Sequence, residues 1–326
     1  MSARRRSEFE IIAEVLAPLS RGADLAFDLT DDAALLTPQP GECIATTADA
    51  LVAGVHFPRD EAADFIARKA LRVNLSDLAA MGAAPMAYFM TIALPPDIDD
   101  AWIESFAAGL AADQAEFGVT LSGGDIVSTP HEAVLSITMM GSVKQEAAIR
   151  RSGARIGDRI FVSGTIGDAA LGLKALQGEL GSASNVIDSL VERYRLPRPR
   201  VSLGIALRGL VHAGIDVSDG LVADLGHICQ TSSVAAHVRA ADVPLSDAAR
   251  AALSGDAGLL ATILTGGDDY ELLFTATPEF DAASISAKVG VALSEIGEIV
   301  KGEGGVAVIG DDGAPIALDH SGYTHR

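Results

Sequence analysis

Six aspartates occupy short apolar or glycine-rich segments along the chain, where a merely solvated charge would be out of place. They are Asp32, Asp49, Asp77, Asp125, Asp216 and Asp219. Carboxylates beside small residues suit a hard cation such as Mg²⁺, which takes one or two protein oxygens and leaves room for water and phosphate. The chain contains no Gly-x-x-x-x-Gly-Lys-Ser/Thr phosphate loop. The pattern therefore requires a fold that gathers distant carboxylates into one pocket, and it indicates phosphate chemistry that depends on metal ions.

Length and charge narrow the class of protein further. A chain of 326 residues is long enough for two domains, and 49% hydrophobic residues are typical of a packed globular protein. The formal net charge of -20 repels nucleic acid and anionic lipid, so we expect neither as a partner. The same field repels ATP unless cations intervene, which agrees with aspartates that act as metal ligands.

The cysteines and the N-terminus indicate a cytoplasmic protein. Cys43 and Cys229 lie far apart without Cys-x-x-Cys spacing, so neither a disulfide framework nor a zinc site is expected. Residues 1–8 are basic and then acidic, with no apolar segment of a signal peptide. Residues 78–94 are apolar, but Gly82 and Pro85 interrupt them, so a helix end and a buried strand fit better than a membrane span.

Helical and strand patterns alternate along the chain, which predicts an α/β fold (α+β, with mixed sheets) in two domains. A polar segment near residue 150 separates the expected domains, residues 1–150 and 151–326. A capping box at Ser7 to Glu10 opens a short helix, and longer helices are predicted at 60–81, 99–117, 167–177, 184–194, 200–212, 221–230 and 281–289. Strands are predicted at 33–37, 42–47, 86–94, 133–143, 159–163, 235–239, 270–275 and 292–299.

Asp77 is the acidic residue whose setting most favours a metal ligand. The predicted helix places it beside Leu75 and Leu78, where an unpaired carboxylate is costly. An ion pair with Lys69 or Arg72 is the structural alternative. We favour the metal.

The other acidic patterns each have an ordinary structural alternative. Asp31-Asp32 fits an Asp-rich turn, and Thr46 to Asp49 fits a cap as well as a strand end where hydroxyl, carbonyl and carboxylate oxygens meet one ion. Gly123-Gly124-Asp125 fits a glycine turn or a nest of N–H groups that binds phosphate. Ser218 or Asp219 could cap the helix that follows, although a helix N-terminus also attracts phosphate.

Read in order, these segments resemble the thiamine-monophosphate kinase family, within the superfamily that includes aminoimidazole ribonucleotide synthetase. The matching segments, which cover most of the chain, are 31–36, 51–57, 69–83, 123–125, 151–154, 164–168, 216–221 and 266–272. The His56-Phe57 segment and the Asn74 to Gly82 segment are together specific to this family.

The resemblance implies Mg²⁺-dependent phosphorylation of thiamine monophosphate by ATP, without a general base. It also implies a homodimer, with an N-terminal domain that supplies strands to the dimer and a C-terminal domain that closes the ATP site. By motif position the metal ligands would be Asp32, Thr47, Ala48 through its carbonyl, Asp49, Asp77, Asp125, Asp216 and Asp219. ATP would contact Gly124, Asp125, Arg151 and Ser218, and the thiamine substrate would contact His56, Asp268 and Tyr323.

Two positions depart from the family pattern. Ala48 stands where the family usually has Thr, which removes a hydroxyl, and Asp268 stands where Glu is common, which shortens a substrate contact. One alternative is another ATP-using member of the superfamily, such as a selenophosphate or purine-pathway synthetase, although Cys43 in an apolar strand is a poor reactive thiol. The other is a non-catalytic metal- or nucleotide-binding protein.

Overall fold

The computed structural model describes residues 6–22, 24–181 and 184–323, so the basic residues 1–5 lie outside it. These residues divide into two compact units. One contains the residues up to 78 together with 84–145, and the other contains 79–83 together with 146 onward. Mixed sheets in two units confirm the predicted fold class.

The first unit is built on a four-stranded mixed sheet. Its strands are β1 (Cys43–Val52), β2 (Ala84–Leu94), β3 (Thr120–Ser128) and β4 (Val134–Val143). Their order is β1-β4-β2-β3, with β2 and β3 parallel and the other pairs antiparallel. The helices are α1 (Glu8–Ile11), α2 (Ala63–Ala80), whose last residues belong to the second unit, and α3 (Asp100–Phe117).

Helices α2 and α3 are joined through a buried ion pair. The Arg72 guanidinium on α2 donates to the fully buried Asp113 carboxylate on α3 at 2.7 Å. Gln114 on α3 then donates to the hydroxyl of Tyr88 on β2 at 3.2 Å, which ties this helix pair to the sheet. Arg72, which the sequence offered as an ion-pair partner of Asp77, therefore pairs with Asp113.

The second unit contains a six-stranded sheet. Its strands are β5 (Arg159–Ser163), β6 (Ala213–Asp216), β7 (Ala235–Arg239), β8 (Leu272–Ala276), β9 (Leu293–Val300) and β10 (Gly305–Ile309), in the order β10-β7-β9-β5-β8-β6. Its helices are α4 (Asp168–Leu176), α5 (Ser184–Arg195), α6 (Val201–Leu207), α7 (Leu221–Ser232), α8 (Asp247–Gly255), α9 (Leu259–Thr265) and α10 (Ala282–Val289).

Side chains that alternate along the central strands form two hydrophobic cores in the second unit, one on each face of its sheet. On β5, Val162 packs with Leu171 of α4 and Leu225 of α7, whereas its neighbour Phe161 packs with Leu203 of α6. Successive side chains of a strand point to opposite faces, so both faces of a central strand can be apolar. This explains why the strand at 159–163 reads as a continuous apolar run.

Several sequence predictions were wrong in detail. The segment 33–37 is not a strand: the Leu35 N–H donates to the Leu25 carbonyl at 2.9 Å, and the Leu35 side chain is exposed. The predicted strand 42–47 continues to Val52, and β3 runs through the Gly123-Gly124-Asp125 segment that was predicted as a loop. No helix within the described ranges is long and apolar enough to cross a membrane.

Candidate active site

The first unit brings three of the predicted ligands together where β1 meets α2. Thr47 and Asp49 lie two residues apart on β1 and so share a face of the sheet. The Thr47 hydroxyl donates a hydrogen bond to the Asp77 carboxylate on α2. Burial, followed by the nearby Asp77 charge, raises the pKa of Asp49 to about 6. Two carboxylates in repulsion beside a hydroxyl form a donor set that a divalent cation would stabilise.

Ala48 lies between these residues on the opposite face of β1, where its side chain is exposed. Its methyl group cannot bind a cation, so its backbone carbonyl is the only ligand it can offer. Asp32 is exposed on a bend, and Asp125 is exposed on β3. Asp32 lies outside the helices and strands, whereas Asp125 is held in the sheet opposite Thr91 of β2.

Gly124 is required by the pairing of β2 with β3. A Cβ atom at this position would lie 1.8 Å from the carbonyl oxygen of Met90, far inside van der Waals contact. The two glycines therefore serve close strand approach, and the structure rules out the alternative of a glycine turn. Asp125 follows directly and is carried on a strand rather than a loop.

The last residue of β1 determines the tautomer of His56. The Val52 N–H donates to Nδ1 of His56 at 3.0 Å, so a neutral ring carries its proton on Nε2. The Lys69 ammonium donates to the His56 carbonyl at 3.2 Å. The first contact leaves Nε2 as a donor, which suits binding of a ligand better than removal of a proton, and the second holds the backbone of His56.

In the second unit, the loop between β6 and α7 carries three of the predicted residues. Asp216 ends β6 and is buried, and Ser218 and Asp219 follow, both half-buried. The helix N-cap is Gly220, which has no side chain, so the alternative in which Ser218 or Asp219 caps the helix is ruled out. The capping acceptor is Asp224, one turn into the helix.

Asp224 accepts hydrogen bonds from three successive backbone N–H groups. Its Oδ2 atom lies 3.0 Å from the nitrogens of Ser218 and Asp219 and 3.1 Å from that of Gly220. Burial raises the pKa of Asp224 to about 7, although these bonds favour its ionised form. Asp224 shares with Asp77 a position between apolar helical neighbours, but the sequence does not show which groups it pairs with.

A pocket of about 360 Å³ opens beside this loop. Its walls include Asp219, His227, Glu303 and Tyr323. The Tyr323 N–H donates to the Asp219 carbonyl at 2.9 Å, so the structure brings these two predicted residues together. Ligand atoms of Asp219, Asp224 and His227 also lie within 4.8 Å of one another, and the sequence reasoning missed His227.

The two aspartates of the Gly266 to Glu271 segment have different roles. Asp268 adopts a left-handed φ of 71° and accepts a hydrogen bond from the Tyr270 hydroxyl at 3.2 Å. Asp269 is buried and accepts from the Gly167 N–H at 2.6 Å and the Ala169 N–H at 3.2 Å. Asp269 therefore caps α4, whose own N-cap is a glycine, and burial raises its pKa to about 8.

Glu271 forms a buried ion cluster directly behind this segment. Its carboxylate accepts from Arg193 at 3.0 Å, from Arg200 at 2.5 and 2.6 Å, and from the Ser163 hydroxyl at 2.6 Å. A fully buried carboxylate keeps its charge only with such partners. The cluster anchors the start of β8 and with it the aspartates of the preceding loop.

Arg151 is exposed at the start of the second unit's main segment. Its carbonyl accepts a long hydrogen bond from the Ser232 hydroxyl at 3.5 Å. The same Ser232 oxygen accepts from the N–H groups of Gly153 and Ala154 at 3.1 and 3.2 Å. The backbone next to Arg151 is thus attached to the end of α7, while its guanidinium faces solvent and can meet an anion.

Both units match one protein family. Residues 30–143 match the model of the AIR synthase related protein, N-terminal domain, and residues 155–310 match that of the C-terminal domain.

Comparison with individual relatives narrows the assignment within this family. Thiamine-monophosphate kinase of Caulobacter vibrioides is 46% identical over 305 residues, which cover 91% of this chain and 85% of that protein. The crystal structure of thiamine-monophosphate kinase from Stenotrophomonas maltophilia has a TM-score of 0.84 at 42% identity and covers 96% of this chain and 100% of that chain. A structure of AaThiL complexed with AMPPCP and TMP has a TM-score of 0.79 at 28% identity and covers both chains fully (100%). This chain therefore belongs to the thiamine-monophosphate kinases of the AIR synthase related family.

Proposed function

We propose that this chain transfers a phosphoryl group from ATP to thiamine monophosphate and yields thiamine diphosphate and ADP. The observation that carries the proposal is the meeting of Thr47, Asp49 and Asp77 in a chain of this family. Paired carboxylates with a hydroxyl are the donors that a kinase without a lysine phosphate loop needs to bring a metal-bound nucleotide to its site.

Mg²⁺ is the cofactor of this proposal, and the donor set fits it. Oxygen atoms from carboxylates, one hydroxyl and one carbonyl are hard ligands. The ligands we propose are Asp32, Thr47, the carbonyl of Ala48, Asp49, Asp77 and Asp125 in the first unit, and Asp216 and Asp219 in the second. When bound, the metal supplies positive charge that offsets the phosphate oxygens.

The acceptor needs no general base. A phosphate monoester with a second pKa around 6, by analogy with phosphoserine, is already largely anionic at neutral pH. The obstacle is the approach of two anions, which costs about 4 kcal/mol per pair of charges at 4 Å in an effective dielectric near 20. We propose that Arg151 lowers this cost at the ATP phosphates, and that Gly124, Asp125 and Ser218 hold the nucleotide.

Three residues would position the thiamine substrate. We propose that His56 donates from Nε2, a role that its Nδ1 contact with Val52 supports. Tyr323 and Asp268 would contact the thiamine rings, and Tyr323 already lies against the Asp219 loop. The Asp268 side chain is one methylene shorter than the Glu usual in the family, so we expect its contact to be weaker.

A homodimer in the cytoplasm completes the proposal. Strand β1 lies at one edge of the first sheet, and Ile44 on it is 39% exposed. An exposed strand edge with apolar side chains is a surface that a second copy of the chain can pair with. The cytoplasmic location stays a prediction that rests on the sequence. Light scattering in solution tests the dimer.

An assay of ADP release separates this function from its alternatives. We expect ADP to form when ATP, Mg²⁺ and thiamine monophosphate are all present, with thiamine diphosphate as the second product. A synthetase of the same superfamily would require a different acceptor, and a non-catalytic nucleotide-binding protein would bind ATP without releasing ADP. Asp77→Asn and Asp125→Asn should abolish turnover while the fold is retained.

A further inference from the structure

The loop that precedes α7 is held by a residue to which no role has been assigned. Three successive N–H groups, those of Ser218, Asp219 and Gly220, donate to one oxygen of Asp224 at 3.0, 3.0 and 3.1 Å. Asp224 is 2% exposed. The start of a helix presents unpaired N–H groups that commonly bind phosphate. Here the chain's own carboxylate already occupies those groups.

The other side of the loop is fixed as well. The Ser218 carbonyl accepts from the Asp268 N–H at 2.9 Å, and the Val217 carbonyl accepts from the Tyr270 N–H at 2.8 Å. Gly220 has a φ of 121°, and a Cβ atom there would lie 2.7 Å from the Thr265 carbonyl oxygen. The backbone is therefore fixed through its carbonyl groups by the 265–270 segment and through its N–H groups by Asp224.

We propose that Asp224 is a positioning residue that fixes the Ser218–Gly220 backbone and keeps nucleotide phosphates away from its N–H groups. Ser218 and Asp219 then act on a ligand through their side chains, the hydroxyl and the carboxylate. This inference rests on the proposed function, because it concerns how that site meets Mg²⁺ and ATP. It gives a role to Asp224, which is not a proposed ligand, and it limits Ser218 to contacts through its hydroxyl.

The test compares variants that differ in the acceptor they leave for the three N–H groups. Asp224→Ala removes the acceptor, so the loop is released and its N–H groups become available. Asp224→Asn keeps an oxygen at the same distance along the side chain. Asp113→Asn is the matched control, because Asp113 is also a fully buried carboxylate but pairs with Arg68 and Arg72 in the first unit.

The readout is the dissociation constant of AMPPCP with MgCl2, measured by calorimetry well below the melting temperature of every variant. We expect Asp224→Ala to weaken binding about tenfold, since misplacement of a ligand by about 1 Å is costly, and Asp224→Asn to weaken it no more than about threefold. Asp113→Asn should lower the melting temperature and leave the dissociation constant within about twofold of the wild type.

Two results would overturn the inference: AMPPCP binding by Asp224→Ala within about twofold of the wild type, or an equal loss in Asp113→Asn. If Asp224→Ala does not fold, Asp224→Glu takes its place, because a carboxylate displaced by one methylene must shift the loop and weaken binding about tenfold. Binding is measured without thiamine monophosphate. A wild type that binds AMPPCP but transfers no phosphoryl group would therefore contradict the proposed function and leave this comparison decisive.

Discussion

The hydroxyl of Thr47 donates a hydrogen bond to the carboxylate of Asp77 and thereby joins β1 to α2 in the first unit. Burial, together with the Asp77 charge, raises the pKa of Asp49, two residues along the same strand, to about 6. A site that places like charges together is less stable without a counter-ion than with one. The cation that we propose at this position would offset that cost.

The variant Asp77→Asn distinguishes the repulsion between Asp49 and Asp77 from their proposed role in catalysis. The change removes one of two repelling carboxylates, so we expect the metal-free protein to melt at the same temperature as the wild type or slightly higher. Turnover should fall about 10²–10³-fold or more, because a proposed ligand of the metal that offsets the phosphate charge is lost. Calorimetry without metal and the rate of ADP formation with Mg²⁺ measure the two effects. A variant of normal activity would contradict the ligand assignment.

Mg²⁺ itself should stabilise the wild-type protein. A ligand at 100 times its dissociation constant contributes about 2.7 kcal/mol to the free energy of unfolding. We expect the melting temperature to rise with MgCl2 and to return to its starting value when EDTA is added. The rise should shrink in Asp49→Ala, which lacks one proposed ligand. An equal rise in both proteins would place the metal elsewhere.

Gly124→Ala should disrupt the first sheet. The added Cβ atom would meet the Met90 carbonyl oxygen, so β2 and β3 cannot keep their spacing, and we expect a loss of about 3 kcal/mol or more in the free energy of unfolding. Gly255→Ala at the end of α8 is the control, because no atom lies within 4 Å of its added Cβ. Urea denaturation of both variants measures the difference. Equal stability would show that the strands can separate without cost.

Glu271→Gln should be among the most damaging single changes in the second unit. It leaves the Arg193 and Arg200 guanidinium groups without their buried counter-charge, which costs about 3–5 kcal/mol. Asp247→Asn removes an exposed partner of Arg250 and should leave the free energy of unfolding nearly unchanged. Thermal or urea unfolding compares the two. A small effect at Glu271 would mean that water replaces the lost charge.

The two cysteines should react at very different rates. Cys43 is exposed at the start of β1, whereas burial raises the pKa of the Cys229 thiol to about 11. The thiolate is the reactive form, so at pH 8 we expect the thiol reagent DTNB to label one cysteine of the folded protein rapidly and the second only after denaturation. Labelling of Cys43→Ser identifies the fast site. Rapid reaction of both thiols in the folded protein would contradict the burial of α7.

Local signals in the sequence predicted much of the fold. The strands at 159–163 and 235–239 were predicted with their observed bounds, and the Ser7 capping box is present. The strand prediction at 33–37 was wrong because an apolar run does not specify a partner strand. Strand β6 was missed because its four residues, which end at Asp216, are too short for periodicity to register.

The site was harder to predict than the fold because its supports are contacts across the chain. Thr47 and Asp77 are 30 residues apart, and only packing of α2 on β1 brings them together. The Gly123-Gly124-Asp125 pattern fitted a turn or an anion-binding nest, and its place in a strand was missed because a glycine's need for space depends on the neighbouring strand. Asp224 was overlooked for a similar reason, since its three donors become visible only when the helix start is folded.

The measurement that tests the central claim most directly is ADP release by the purified chain in Mg²⁺ and ATP, with and without thiamine monophosphate. The account predicts ADP and thiamine diphosphate in equal amounts, formed only when the acceptor is present and lost in Asp77→Asn. ADP release that is indifferent to thiamine monophosphate, or no release with it, would contradict the account.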